Sequence, residues 1–512
     1  MIFRPIASRS MWDTWILPWN NEYHLFHLES QGDVWSHVGH AVSIDLVHWQ
    51  TLPSIPTRNS QPHWNSDVTL TGSTVAHDGK FYMFIGSIVD NVQVVGVYIS
   101  DDLENWQPYP KNPIIRPAGP HYLSDPAKAG SSAMVDWRDP NVTYNPKDGY
   151  YHAVLCAHLP KWDKQHAGAA VGHIRSKDLI DWEHLPPIAA PQQFYHVEAP
   201  DVFELNGRFY LLFQSHSVGG LRINTPYRDD TIGVYYMSGP TYEGPFEMAE
   251  NCQLFGSGNG KMEGYAGRTV VYGDQRIFCH HCHVKNPYSP ALGAPKLICA
   301  DNDDSLYLEY MPLLEKLETS VVLDSTEAVK TIEPARDNLG RWQHHSTGIT
   351  GDAPVTNSAL LIAEDISDFH MQCSINSFTA GRAGVLVRAY RDNNTMHDIG
   401  VAIWLDYERQ ELQIAQVSYQ RVAGWGFDIH HVMGNSTASY LHDRCRLKLD
   451  KSKSYHLRCF GRDEHFEVYL DNRWVFTSVL SQAPKMGTVN LIVERGRAEF
   501  SGLRLAKIES FA

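Results

Sequence analysis

The chain has 512 residues, with 43 basic against 58 acidic side chains and a net charge of −15. That balance repels phosphate backbones and excludes nucleic acid as a ligand class. A hydrophobic content of 43% with 20% charged residues excludes a disordered or fibrous chain, and the length implies two domains.

Predicted elements begin with hairpins. A polar turn at Asn20-Asn21-Glu22 runs into the strand Tyr23 to Phe26, and Asp78-Gly79-Lys80 runs into Phe81 to Phe84. Similar signals stand at Asp148-Gly149 before Tyr150, Asn206-Gly207-Arg208 before Phe209, and Gly273-Asp274-Gln275 before Arg276. After the first three units comes the heptad S-x-D-L-x-x-W, at Ser43 to Trp49, Ser100 to Trp106 and Ser176 to Trp182. Its Ser and Asp are expected to bond a turn, and its Trp to pack between units. Five short-stranded units repeating every sixty to seventy residues or so predict an all-β five-bladed β-propeller over residues 1–310.

Residues 311–334 read as a linker with a short helix, and 335–512 as a β-sandwich of longer alternating strands such as His370 to Phe378 and His465 to Leu470. No apolar run approaches the ~18 residues that span a bilayer. Met1 to Pro5 begins no signal peptide, so a cytoplasmic protein without membrane partners is expected. Eight scattered cysteines then read as reduced core residues. Cys279-His280-His281-Cys282-His283 has metal-like spacing but lacks a second ligand pair and falls on a strand, so no metal and no cofactor is expected.

Propeller ligands sit at the axis, lined by the first strand of each blade. Asp13 precedes Tyr23 by ten residues, Asp139 precedes Tyr151 by twelve, and Glu198 precedes Phe209 by eleven. The spacing predicts three carboxylates around one axis, with Asp67 and Glu263 at comparable offsets in the other two units. Crowded carboxylates drive one another's pKa values apart, which lets one act as an acid while another stays ionised. Caps on blade turns or pairs with Arg138 and Arg268 are the structural alternative.

Trp137-Arg138-Asp139-Pro140 and Val197-Glu198-Ala199-Pro200-Asp201 resemble the R-D-P and E-C-P-D motifs of glycoside hydrolase family 32, the β-fructofuranosidases, invertases and levanases. Val38 to Trp49 is similar to the family's W-G-H-A-x-S-x-D-L-x-H-W segment, Leu70-Thr71-Gly72-Ser73 to F-S-G-S, and Tyr265-Ala266 to its late Y-A motif. Ala294 to Leu297 resembles P-R-E-L, and His465 to Tyr469 resembles a strand of the family's sandwich. The resemblance implies Asp13 as nucleophile, Glu198 as acid/base, and Asp139 as transition-state stabiliser held by Arg138. It also places Trp35, Thr71 and Tyr265 in the sugar site. In a retaining glycosidase one carboxylate attacks the anomeric carbon while the other protonates the leaving oxygen and later activates water.

The chain departs from the family around the nucleophile. Trp12 stands for the Asn beside it, and Thr14-Trp15 replaces the P-N-G turn. Leu28 stands for a Gln, and Val38 for a Trp. Trp12 and Trp15 are candidate stacking platforms for a sugar face. The expected function is a retaining exo-glycosidase of terminal furanosides, foremost β-fructofuranosides, acting on an oligosaccharide or small glycoside. An inverting arabinofuranosidase or arabinanase, a non-catalytic glycan binder and a glycosyl-transferring enzyme remain open, and the oligomeric state is not legible.

Overall fold

The computed structural model describes residues 2–5, 9–30, 34–58, 63–129, 134–161, 168–191, 193–216, 232–256, 263–282, 290–330, 340–392, 397–420 and 438–511. Among them helix is confined to 3-10 turns at Pro126–Lys128, Pro312–Leu317 and Thr326–Ala328. Four antiparallel four-stranded sheets follow in chain order. The first holds Ser10–Trp19, Glu22–Ser30, Trp35–Ser43 and Gln50–Pro56 (β1 to β4), and the second Leu70–His77, Lys80–Val89, Val92–Ser100 and Gln107–Pro108 (β5 to β8). The third holds Trp137–Asn145, Tyr150–His158, Ala169–Ser176 and Glu183–Ala189 (β9 to β12), and the fourth Glu198–Leu205, Arg208–Ser215, Gly233–Gly239 and Glu247–Gly256 (β13 to β16).

Next come Tyr265–Tyr272, Gln275–Cys282, Ala291–Leu292, Lys296–Ala300 and Leu306–Tyr310 (β17 to β21), paired antiparallel as β17–β18–β20–β21 with β19 beside β18. They open a sheet of 17 strands that runs on through the rest of the chain. The first strands close a ring, β1 against β5, β5 against β9, β9 against β13, β13 against β17 and β17 against β1. This is a β-propeller-like arrangement.

Apolar alternation within each strand supplies the glue between sheets. Trp15, Phe26 and Val38 meet Phe81, Met83 and Trp106 between the first and second sheets. Comparable cores join the second to the third, the third to the fourth, the fourth to the β17–β21 group, and that group back to the first. Each fully buried large apolar side chain contributes roughly 1.5–3 kcal/mol.

The heptad is a self-contained turn. The Ser43 hydroxyl accepts from the amides of Asp45 and Leu46 at 3.1 and 2.9 Å, and Asp45 Oδ1 accepts from those of Val47 and His48 at 3.0 and 2.9 Å. This holds Leu46 at a φ of 63°, and the Trp49 indole donates to the Leu46 carbonyl at 3.2 Å. Leu103 and Leu179 repeat the left-handed φ, and Trp106 and Trp182 repeat the indole bond. Trp106 then meets Phe26, and Trp182 meets Phe84, each edge-on against the preceding sheet.

The strands expected in the C-terminal region form, and the longest described are Ile349–Ile366 and Gly487–Ile508. Their core draws only on residues from Leu323 onward. Segment 311–334 holds the Pro312–Leu317 turn and the strand Glu318–Leu323 (β22), which pairs with Gly487–Ile508. The two halves meet in a mixed core of Phe3, Met11, Leu25 and Tyr310 with Phe460 and Tyr469.

Candidate active site

All five first strands carry a β-bulge at the same place near one rim of the ring. Trp12 and Asp13 oppose one residue of β2, Thr71 is extra against β6, and Asp139 with Pro140 opposes one residue of β10. Ala199 with Pro200, and Ala266 with Gly267, do the same against β14 and β18. The extra residue bends the strand and re-aims its side chains. Asp139, Ala199 and Ala266 take φ values of 60°, 43° and 49°, a left-handed conformation that costs on the order of 1–3 kcal/mol at a non-glycine residue. Contacts across the ring hold these bulges. Gln214 donates to the carbonyls of Ala199 and Gly267 at 3.1 and 3.3 Å, and Arg268 reaches those of Gly72 and Asp139 at 2.5 and 3.0 Å. Gly72 leaves no room for a Cβ, which would run into the Phe84 carbonyl.

The bulges bring Asp13, Asp139 and Glu198 into one cluster, with Asp13 and Asp139 buried and Glu198 partly exposed. Thr71 donates to Asp13 Oδ2, while Asp13 Oδ1 has no hydrogen-bond partner among the described residues. His281 Nδ1 lies 3.9 Å from that oxygen. Asp139 Oδ2 accepts from the Ala199 amide at 3.0 Å and lies 3.4 Å from Arg138 Nε. Glu198 is gripped from two sides, by Arg138 Nη2 at 2.7 Å and the Tyr265 hydroxyl at 2.5 Å.

These surroundings split the three carboxyls. Burial, with the negative charges of Asp139 and Glu198, pushes Asp13 up to about 7 against the Thr71 hydrogen bond. Burial also raises Asp139, although Arg138 works against it. Burial works upward on Glu198 as well, but Arg138, His216 and Tyr265 outweigh it and hold the carboxyl below its ordinary value. Burial and the facing Glu198 raise Tyr265 well above the usual phenol range, so it stays a donor.

The expected sugar-site residues divide. Thr71, Arg138 and Tyr265 touch the carboxylates directly. Trp12 and Trp35 form a partly buried wall, ring centroids 5.8 Å apart, and Trp12 lies 5.1 Å from His281. Trp15 does not join them. It is buried, stacks on Phe26 and donates to Thr74 at 3.0 Å. Simple alternation puts residues 13 and 15 on one face, but the bulge takes in Trp12 and Asp13, so Asp13 leaves the alternation that Thr14 and Trp15 resume, and Trp15 packs into the core. Val38 lies in that same core, with Leu28 directly opposite it on β2, so those two departures from the family pattern alter packing.

Asp67 is exposed, and Glu263 is buried against His442 of the C-terminal region at 2.9 Å; neither joins the cluster. In the Cys279 to His283 run, Cys279 lies in a core with Leu46 and Val270, and burial pushes the thiols of Cys279 and Cys282 up to about 12. His281 turns toward Trp12 and His280 toward Phe255, as strand alternation requires, while His283 lies outside the described residues.

Sequence reasoning missed several supports. Asp201, the last residue of the E-A-P-D word, accepts from Asn141 at 2.9 Å and from the Thr269 amide at 2.8 Å, tying three first strands together. Beyond it a cavity of about 950 Å³, lined by Trp15, Thr143, Asp201, Arg268 and Arg276, opens at the far end of these strands, away from the three carboxylates. Asp136, His158 and His196 also escaped notice, although Asp136 stands two residues from Arg138 and accepts from it at 2.7 Å.

A sucrose:sucrose 1-fructosyltransferase of Festuca arundinacea is 30% identical over 175 residues, 32% of this chain and 24% of that relative. The aligned stretch is thus about a quarter of the relative's length. Among solved structures, an exo-inulinase from Aspergillus awamori covers 99% of this chain and 98% of its own, with a TM-score of 0.67 at 16% identity. A β-fructofuranosidase from Schwanniomyces occidentalis, complexed with fructosyl-erythritol, covers 99% of this chain and 96% of its own, with a TM-score of 0.65 at 13% identity. These likenesses concern the fold. The family model described as the N-terminal domain of glycosyl hydrolases family 32 matches residues 15–282, starting two residues beyond Asp13. The match spans just over half of the 512 residues, and the chain belongs to glycoside hydrolase family 32.

Proposed function

We propose that this chain is a retaining exo-glycosidase of terminal furanosides, with β-fructofuranosides as its principal substrates. The observation that carries the reading is a cluster of three carboxyls in unlike surroundings, one of which, Asp13, turns an unbonded buried oxygen into the site. An unpartnered carboxylate oxygen is what attack on an anomeric carbon needs. Asp13 attacks, the sugar–oxygen bond breaks, and Glu198 gives its proton to the leaving oxygen; Glu198 then takes a proton from water, which displaces Asp13. Asp139 accepts from ring hydroxyls through bonds that strengthen as the ring gains oxocarbenium character.

Glu198 begins this cycle bonded to a guanidinium and a phenol. Protonating it means loosening the Arg138 contact, so leaving-group protonation is the slow part, and substrates with good leaving groups are favoured. Trp12, in place of an amide side chain, offers an aromatic face and a single N–H donor, and no acceptor. A hydroxyl left unpaired there costs ~1–3 kcal/mol. Sucrose is accordingly a weak substrate, and an unusual linkage or aglycone a better one.

We read the ring of five first strands and five intersheet cores as a five-bladed propeller over 1–310, and 335–512 as a β-sandwich. An experimentally phased map of the chain checks that count. The functional test is product analysis on a panel of fructosides and arabinosides, with the anomeric configuration followed by NMR. Release of fructose with retention is expected. Inversion, or release of arabinose alone, overturns the reading, and glycosyl transfer in place of hydrolysis redirects it.

A further inference from the structure

We propose a divalent metal site formed by Asp136, His158 and His196, beside the carboxylate cluster and joined to it through Arg138. One ligand atom from each residue lies within 4.8 Å of the other two. Asp136 Oδ2 is 2.9 Å from His196 Nδ1 and 3.3 Å from His158 Nδ1. A tetrahedral ion with bonds of about 2.0–2.1 Å sets its ligands roughly 3.3 Å apart, close to both distances from Asp136.

The supporting contacts match what holds metal ligands elsewhere. His158 Nε2 lies 2.6 Å from the Tyr195 carbonyl. A carbonyl only accepts, so that nitrogen carries the proton and a neutral ring turns the lone pair of Nδ1 toward Asp136. The other oxygen of Asp136 is fixed by Arg138 at 2.7 Å.

Charge points the same way. Asp136, Asp139 and Glu198 all lean on the single guanidinium of Arg138, at 2.7, 3.4 and 2.7 Å. Three carboxyls around one guanidinium, even with Arg268 acting on Asp139, leave the cluster rich in negative charge, which a divalent cation offsets. Two imidazoles and a carboxylate form a set suited to zinc and its neighbours rather than to calcium or magnesium. The side chain of His158 is 1% exposed and that of His196 21%, so the open coordination position lies on the His196 side, toward Glu198. Water or a ligand hydroxyl completes the shell there.

The test uses the full, untagged chain, stripped with a chelator, dialysed and titrated with zinc sulfate in a calorimeter. One zinc per chain is expected, with a dissociation constant in the micromolar range or tighter. His196→Gln and His158→Gln should each weaken binding at least tenfold. His196 is the more exposed of the two, so its variant keeps the test sound if His158→Gln folds poorly. X-ray absorption of the loaded protein should show nitrogen and oxygen neighbours at about 2.0–2.1 Å. Less than half an equivalent bound, unchanged affinity in His196→Gln, or a sulfur neighbour at about 2.3 Å overturns the proposal.

Discussion

The molecule buries charge in two places and treats it in opposite ways. At the seam between its halves, Lys296 is fully buried yet bonds Glu467 at 3.2 Å, the Ala294 carbonyl at 2.8 Å and His280 at 2.9 Å, while Thr477 donates to Glu467 at 2.9 Å. At the ring's rim, Asp13 keeps an unbonded oxygen and faces two more carboxyls. The seam has matched its charges and gains a fixed geometry; the rim keeps an excess of one sign and gains reactivity. Charge burial alone therefore marks no site. Unbalanced charge burial does.

Substitutions at the rim should cost rate, and those at the seam stability. Glu198→Gln should lower turnover of glycosides with poor leaving groups by ~10²–10⁴-fold, while activated aryl glycosides keep much of their rate. Parallel rate measurements on both substrate types check this, and equal losses would contradict the role. Asp139→Asn should lower kcat by ~10²–10⁴-fold without stopping covalent labelling of Asp13 by a mechanism-based inactivator. Peptide mapping of the labelled protein identifies the modified residue.

At the seam, Lys296→Met leaves Glu467 buried without its cation and should cost about 3–5 kcal/mol in denaturant melts, with kcat of the folded fraction unchanged. Adding Glu467→Gln should restore a large share. A drop in kcat matching the Glu198 variant would erase the distinction between the two regions.

Asp13 links rim chemistry to stability. Its carboxyl stands at about 7 in the fold against an ordinary 3.8. The fold favours the protonated form, so that contribution is complete below pH 3.8 or so and is lost as pH rises through 7. Asp13→Asn should therefore be stabilised relative to the parent at pH 8, by up to about 4 kcal/mol, with a much smaller difference at pH 4. Melting both proteins across that range checks the sign, and the parent's kcat/KM should fall as pH rises through about 7, where the one proton that Asp13 and Glu198 share is lost. The smallest effect belongs to Trp12→Ala, which should raise KM several-fold, about 1 kcal/mol of sugar contact, with little change in kcat.

What was legible in the sequence was local. Hairpin turns, the heptad and the alternation of short strands each depend on residues a few places apart, and the offsets of Asp13, Asp139 and Glu198 followed once the unit was recognised. What stayed hidden depends on ring closure or on bulges. Glu263 shares the carboxylates' offset but faces His442, 179 residues away. Arg268 reaches Gly72 across 196 residues. Trp15 was misplaced because one inserted residue reverses the facing of everything after it, and no spacing rule shows where a bulge falls. The Lys296–Glu467 pair lies across 171 residues and between the two halves.

The bulges have a bearing on how such a ring can change over generations. Each lies inward of a hairpin whose register resumes beyond it, as in the run from Thr14↔His27 to Trp19↔Glu22. The bulge acts as a joint between the regularly paired frame and the lip at the rim of the ring. A residue gained or lost on the lip side alters what meets the ligand and leaves the frame's pairing intact. New specificities can thus arise at the mouth of the ring without being refused by the folding of the wall behind it.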